Sequence, residues 1–146
     1  MPILHRQAAL SGANLMIFAG QITGKELLSK FADIDPRRPE TSNDWLILDL
    51  GAADISEIDF AVLSKLKAIM KPKMTAMKAR RDFAVAIVCQ RPFNDPIYRT
   101  WQSLVGDDPD YPSRPLVFSD LGSACDHLGY AGAQRQEVFE LSRAAG

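Results

Sequence analysis

Two apolar runs that scarcely alternate with polar residues constrain the fold of this chain more than any other feature. The first is "DWLILDLG" at residues 44–51, and the second is "FAVAIVCQ" at residues 83–90. A strand with one solvated face alternates apolar and polar residues, whereas a strand covered on both faces does not. A helical pattern separates the two runs, which is typical of a crossover connection. The sequence therefore predicts two neighbouring interior strands with helices packed on their sheet.

Turn and capping signals predict the elements around these runs. "ILHRQAAL" and "LMIFAGQIT" indicate two strands joined at "SGAN", where Gly12 and Asn14 would supply turn conformations. Thr23 precedes Glu26 by three residues, the spacing of a capping box, and a helical stripe follows. Pro72 is expected to end or kink the helix that begins near Phe60, whose inner face would carry Phe60, Leu63, Leu66, Ile69 and Met70.

Two further helices are predicted in the second half of the chain. Asn94 or Asp95 before Pro96 is a helix start with proline at the first position. Ser119 or Asp120 can cap "LGSACDHLGY", which follows the short strand "LVFS" and ends at Gly129. The predicted order is β-β-α-β-α-β-α-β-α, an α/β fold with a mixed sheet of about five strands. Residues 1–130 form one domain in this interpretation, and residues 131–146 form its last helix or a frayed tail.

The composition excludes several classes of protein. A chain of 146 residues that is 47% hydrophobic and 24% charged fits one globular domain. A net charge of −1 gives no overall attraction to nucleic acid. Two cysteines are too few for a disulfide framework, so Cys89 and Cys125 are interpreted as small buried hydrophobes. The chain shows no signal peptide and no long apolar span, and we expect a soluble cytoplasmic protein.

The central segment "LILDLGAADISEIDFAVLSKL" resembles the STAS family of anti-sigma-factor antagonists. Asp49-Leu50 match the family's strand-ending pair, and Ile58-Asp59 match the start of the segment that opens the next helix. "FSDLGSACDHLG" is similar to the closing strand and helix of such domains, and the resemblance spans roughly residues 3 to 130. A group of small bacterial proteins combining STAS and Sec14-like features is similar in length and in "VCQRPFNDPIYRTWQSL".

The resemblance implies a non-catalytic module that docks a protein partner of unknown identity through the turn after the central strand. The chain departs from the family where its phosphorylated hydroxyl would stand, because Phe60-Ala61-Val62 carry none. Ser56 and Ser64 lie nearby but do not match that position. The predicted partner-binding residues are Gly51, Ala52, Ala53, Asp54, Ser56 and Glu57.

The Sec14-like resemblance implies a second function, which is the binding of a lipid or a small apolar molecule. The pocket would lie under the helix that carries Tyr98 and Trp101. From the residues alone, Trp101 is expected in the core and Tyr98 at its rim.

Catalytic and metal chemistry receive less support. Asp49, Asp54, Glu57 and Asp59 could hold Mg²⁺ in a small enzyme, but helix capping and solvation explain them without a metal, and we favour that interpretation. Ser64 and Lys67 have an S-x-x-K spacing without the motifs that accompany it in known enzymes. We therefore predict no catalytic residue, no metal ligand and no cofactor.

A basic run in the helix after the turn is the last feature of note. It contains no acid and is interleaved with Met70, Met74 and Met77, which suits either a partner or an anionic membrane surface. We favour a solvated helix face with methionines in the core, and no nucleic acid is expected as a ligand because few aromatic residues accompany the run. The sequence leaves open whether two copies form a homodimer. The run consists of Lys65, Lys67, Lys71, Lys73, Lys78, Arg80 and Arg81.

Overall fold

A computed structural model describes residues 3–35, 45–80, 84–89, 96–112 and 115–145. These residues form five strands and five helices in an α/β arrangement. In chain order they are β1 (Ile3–Gln7), β2 (Asn14–Gln21), α1 (Gly24–Ala32), β3 (Trp45–Asp54), α2 (Phe60–Arg80), β4 (Ala84–Val88), α3 (Pro96–Gly106), β5 (Leu116–Phe118), α4 (Leu121–Leu128) and α5 (Ala133–Ala145).

The strands form one mixed sheet in the order β1-β2-β3-β4-β5. β1 and β2 are an antiparallel hairpin, and every later pairing in this sheet is parallel. β3 lies between β2 and β4, and β4 lies between β3 and β5. The prediction that the two apolar runs are interior neighbours is therefore confirmed.

Helices cover both faces of the sheet, which explains why the interior strands lack polar alternation. Leu46 and Leu48 of β3 face α1, α2 and α3, whereas Ile47 faces α4 and α5. Val138 of α5 and Cys125 of α4 are fully buried on the second face, and burial raises the pKa of the Cys125 thiol. The segment after residue 130 is thus a packed helix rather than a frayed tail.

Several predicted caps are confirmed. Thr23 and Glu26 form the reciprocal capping box at the start of α1. Asp120 accepts the Ser123 amide at the start of α4, and Gly129 ends that helix with a φ of 77°. α3 begins at Pro96 as predicted, although its predicted caps, Asn94 and Asp95, lie outside the described residues.

One local prediction is wrong, and another is wrong in part. Asn14 is the first residue of β2 rather than a turn residue, and the left-handed conformation at that hairpin belongs to Gly12, with a φ of 78°. Pro72 does not end the helix, because α2 runs through it to Arg80, whereas a kink at Pro72 stays a prediction. A proline inside a helix costs about 3 kcal/mol. Here Met70 and Met74 are buried on either side of it, so tertiary packing outweighs the local penalty.

Candidate functional site

The turn predicted at residues 51–60 starts later than expected, because residues 51–54 are the last residues of β3 and only residues 55–59 connect β3 to α2. The pairing of β3 with β2 contains one extra residue near the start of this segment. Ile17 of β2 pairs with Asp49, but Ala19 pairs with Ala52, so β3 holds one residue more than β2 over this interval. The Asp49 carboxylate accepts the Gly51 amide at 3.1 Å and also the Ser142 hydroxyl of α5. A β-bulge leaves a ladder amide without its usual partner, and Asp49 supplies the acceptor here. Only 7% of Asp49 is exposed, so this carboxylate has a structural role.

The other acids of the turn also have local hydrogen bonds. Asp54 accepts the Ser56 amide at 3.0 Å, and its hydrogen bonds with Ser56 lower its pKa. Asp59 accepts the Val62 amide at 2.9 Å at the start of α2, as the capping interpretation predicted. Among the described residues, no group of three or more His, Cys, Asp or Glu side chains is placed to share a metal ion.

The outer surface of the turn combines acids with one exposed aromatic ring. Of the predicted partner-binding residues, Ala53 is half-buried and the others, Gly51, Ala52, Asp54, Ser56 and Glu57, are exposed. Phe60 is 64% exposed, so its predicted place on the inner face of α2 is wrong. α2 turns Leu63 and Leu66 inward, and its first residue remains outside the core. Ser56 is exposed and Ser64 is half-buried.

A cavity of about 130 Å³ lies between the sheet and the helices α1, α2 and α3. Almost all of its lining side chains are apolar, and five of them are aromatic: Phe18, Phe31, Tyr98, Trp101 and Tyr111. The inner side of the turn also reaches it, through Ile55 and Ile58. The lining consists of Phe18, Leu27, Phe31, Leu46, Leu48, Leu50, Ile55, Ile58, Leu63, Leu66, Met70, Met74, Val85, Ile87, Cys89, Ile97, Tyr98, Trp101, Tyr111 and Pro115.

The two residues predicted for a ligand pocket both line this cavity, but their expected burial is reversed. Tyr98 is 9% exposed, and its burial, with the nearby Cys89 thiol, raises its pKa. Trp101 is half-buried and meets Tyr111 edge to face, with ring centroids 6.1 Å apart. Sequence reasoning did not single out Tyr111, because it lies in a polar loop with no periodic pattern. Cys89 is half-buried in the cavity wall rather than fully buried.

An ion-pair cluster fixes the loop that carries Tyr111. Asp108 lies 3.2 Å from the Lys67 ammonium and 2.8 Å from the Lys71 ammonium, and its carbonyl accepts the Tyr111 amide. The hydrogen bond from Lys71 is the main reason why the pKa of Asp108 falls to about 2. Lys67 therefore joins α2 to this loop. Because this contact gives Lys67 a structural role, it supports the interpretation that the S-x-x-K spacing with Ser64 is a coincidence.

The remainder of the basic run has mostly structural contacts. Met70, Met74 and Met77 are buried, as the favoured interpretation predicted. Lys73 donates to the carbonyls of Ala32, at 2.7 Å, and Ile34, so it satisfies the carboxyl end of α1. Lys65 and Lys78 are exposed, while the side chain of Arg80 and all of Arg81 lie outside the described part of the chain.

A second, smaller cavity of about 30 Å³ lies on the same face of the sheet. It is bounded by Asn14, which is 2% exposed, and by His5 and Lys30. The His5 Nε2 and Asn14 Oδ1 atoms are 3.0 Å apart. The Asn14 Nδ2 atom has no hydrogen-bond partner among the described residues.

In comparisons with known proteins, the chain matches no protein-family profile, and no curated sequence is significantly similar to it. The resemblance to the STAS family is therefore a prediction that these comparisons do not test. Across the described helices, none combines the length and the apolar character that crossing a membrane requires.

Proposed function

We propose that the protein is a non-catalytic binding module whose 130 Å³ cavity accepts a small apolar molecule. The observation that carries this proposal is the cavity itself, with its apolar lining and five aromatic rings. An engineered protein cavity of about 150 Å³ with a similar lining stays dry and binds benzene. A molecule about the size of one aromatic ring, or a segment of a hydrocarbon chain, fits the volume found here.

The apolar walls of the cavity support a ligand. Among the described residues the cavity is partly open to solvent, so part of its apolar lining is exposed to water. An apolar ligand removes that lining from water and gains contacts with its side chains.

The two tryptophans offer a test of this proposal, because they lie on opposite faces of the sheet. Trp101 lines the cavity, whereas Trp45 packs against the cluster under α4 and α5. In the variant Trp45→Phe, bromobenzene should quench Trp101 fluorescence saturably, because the heavy bromine atom quenches a ring that it contacts. Toluene should compete with it, and benzoate should not, because an apolar cavity disfavours a charge.

The matched control is Trp101→Phe, which leaves Trp45 as the reporter. Its quenching should rise linearly with bromobenzene concentration, as expected of random collisions. Equal, linear quenching in the two variants would refute ligand binding in the cavity.

We propose protein docking through residues 51–60 as a second function, supported by the exposed ring of Phe60. Asp54, Glu57 and Asp59 are exposed within the six residues that precede that ring, so a partner with basic groups and an apolar pocket fits this surface. The strand order and the matches at Asp49-Leu50 and Ile58-Asp59 support a STAS-like domain, although Phe60-Ala61-Val62 offer no hydroxyl to phosphorylate.

Docking is tested by reversing the charge of two exposed acids while Asp59, which caps α2, is kept. The double variant Asp54→Lys, Glu57→Lys should fold with a small loss of stability, because it gives up the exposed hydrogen bond from the Ser56 amide to Asp54. Its capture of the native partner from cell extract should weaken, most strongly at low salt, where charges are least screened. Phe60→Ser should weaken capture at every salt concentration, and Leu10→Ser, at an exposed leucine outside the turn, should not. Unchanged capture by the double variant would refute docking through this turn.

A further inference from the structure

The buried amide of Asn14 points to a polar subsite next to the apolar cavity. Asn14 is 2% exposed, and its Nδ2 donor has no partner among the described residues. A buried donor left without an acceptor costs about 1–3 kcal/mol, so such groups usually have an acceptor in the functional state. The 30 Å³ cavity beside it has room for a group of one to a few atoms.

The other polar residues of this small cavity are basic. Lys30 and His5 line it, and among the described residues no acid does. Lys30 lies in the last turn of α1, and Lys73 donates to the Ile34 carbonyl at the cavity wall. An amide donor and a lysine that line the same small cavity favour a carboxylate as the acceptor.

The small cavity and the large one share part of their walls. Leu46 and Met70 line both, and Asn14 is the register partner of Leu46 across β2 and β3. From Leu46, the wall of the large cavity continues along β3 through Leu48 to Leu50, a distance of roughly 13 Å. Methionine is unbranched and flexible, so a rotation of the Met70 side chain can join the two spaces.

We propose that the ligand is a medium-chain amphiphile with a carboxylate head. The carboxylate accepts hydrogen bonds from Asn14 Nδ2 and Lys30 in the small cavity, and the hydrocarbon chain occupies the large cavity along β3. This inference rests on the proposed apolar-ligand function and specifies the ligand class and its orientation.

The test compares octanoate with 1-octanol, which has the same chain length and no charge. In a purely apolar cavity the alcohol binds more tightly, because the anion loses its hydration. With the proposed subsite, octanoate should bind more tightly by calorimetry. Lys30→Met should weaken octanoate binding about tenfold, in line with the loss of one charge-assisted hydrogen bond, and should leave octanol binding unchanged. Lys25→Met, at an exposed lysine of the same helix, is the matched control and should change neither.

A second measurement reports on Asn14 without any substitution. The side-chain amide resonances of Asn14 should shift when octanoate binds and should stay in place when toluene binds. If octanol binds more tightly than octanoate, or if the Asn14 side-chain resonances do not shift when octanoate binds, the head-group subsite is refuted. Saturable quenching of Trp101 by bromobenzene would then leave the apolar-ligand function standing, whereas its absence would overturn both proposals.

Discussion

At the scale of single residues, Asp49 shows how a polar side chain in an apolar strand acquires a structural role. Its two carboxylate oxygens accept one hydrogen bond from the bulge and one from α5. A Cβ atom at position 51 would lie 3.2 Å from Asp49 Oδ1, so glycine at this position lets the strand approach its own acceptor. Asp49 thus links the bulge of β3 to α5, which packs on the face of the sheet opposite the large cavity.

We predict that Asp49→Ala lowers the free energy of unfolding by about 2 kcal/mol. The substitution removes both hydrogen bonds of a side chain that is itself buried, and it leaves the Gly51 amide and the half-buried Ser142 hydroxyl without their acceptor. Urea denaturation measures the effect. The matched control is Asp54→Ala. Asp54 also accepts the amide of the residue two positions later, Ser56, but it does so at an exposed site. Equal losses in the two variants would contradict the structural role of Asp49.

At the scale of elements, the interior strands and most helix boundaries could be predicted because each follows from a local rule. Apolar runs without alternation require two covered faces, and Thr23, Asp120 and Gly129 cap helices through contacts with their own neighbours. The path of α2 through Pro72 and the exposure of Phe60 could not be predicted in this way. Both depend on where α2 lies against the sheet, which no local pattern encodes.

The contact between α2 and the loop after α3 leads to a prediction about pH. The pKa of Asp108 falls from 3.8 to about 2 on folding, so its contribution to stability is complete above about pH 4. That contribution disappears as the pH falls through the folded-state pKa. We expect Asp108→Asn to be less stable than the original protein at neutral pH, with the difference narrowing below about pH 4. Urea denaturation at a series of pH values measures this difference in the free energy of unfolding.

The neighbouring residue provides the control for this prediction. Asp107→Asn changes an exposed carboxylate in the same loop and should lower the stability less at neutral pH. If the difference in the free energy of unfolding between Asp108→Asn and the original protein stays constant down to pH 2, the ion-pair cluster does not stabilise the fold.

At the scale of the whole molecule, the cavity arises where α1, α2 and α3 meet one face of the sheet and, among the described residues, leave a space between them. Tyr98 and Trp101 could be associated with a pocket from the sequence only through a family resemblance. The volume, the contribution of Tyr111 and the polar subsite at Asn14 depend on side chains that are far apart in the chain. Composition and periodicity describe which residues are buried, but they do not describe how completely those residues fill the space between elements.

If the large cavity serves to bind a ligand, a substitution that fills it should stabilise the fold and weaken ligand binding. Leu48 lies near the middle of β3 and lines the large cavity, so Leu48→Phe places a ring into space that is already there. We expect the free energy of unfolding to rise by about 1 kcal/mol, as for other cavity-filling substitutions. Toluene should raise the melting temperature of the original protein, because it binds only the folded state, and it should raise that of the variant much less.

Leu10→Phe makes the same change at an exposed leucine and should alter neither the stability nor the response to toluene. An undiminished response to toluene in Leu48→Phe would show that the ligand binds elsewhere, whereas a loss of stability would show that the space beside Leu48 is too small to hold a ring.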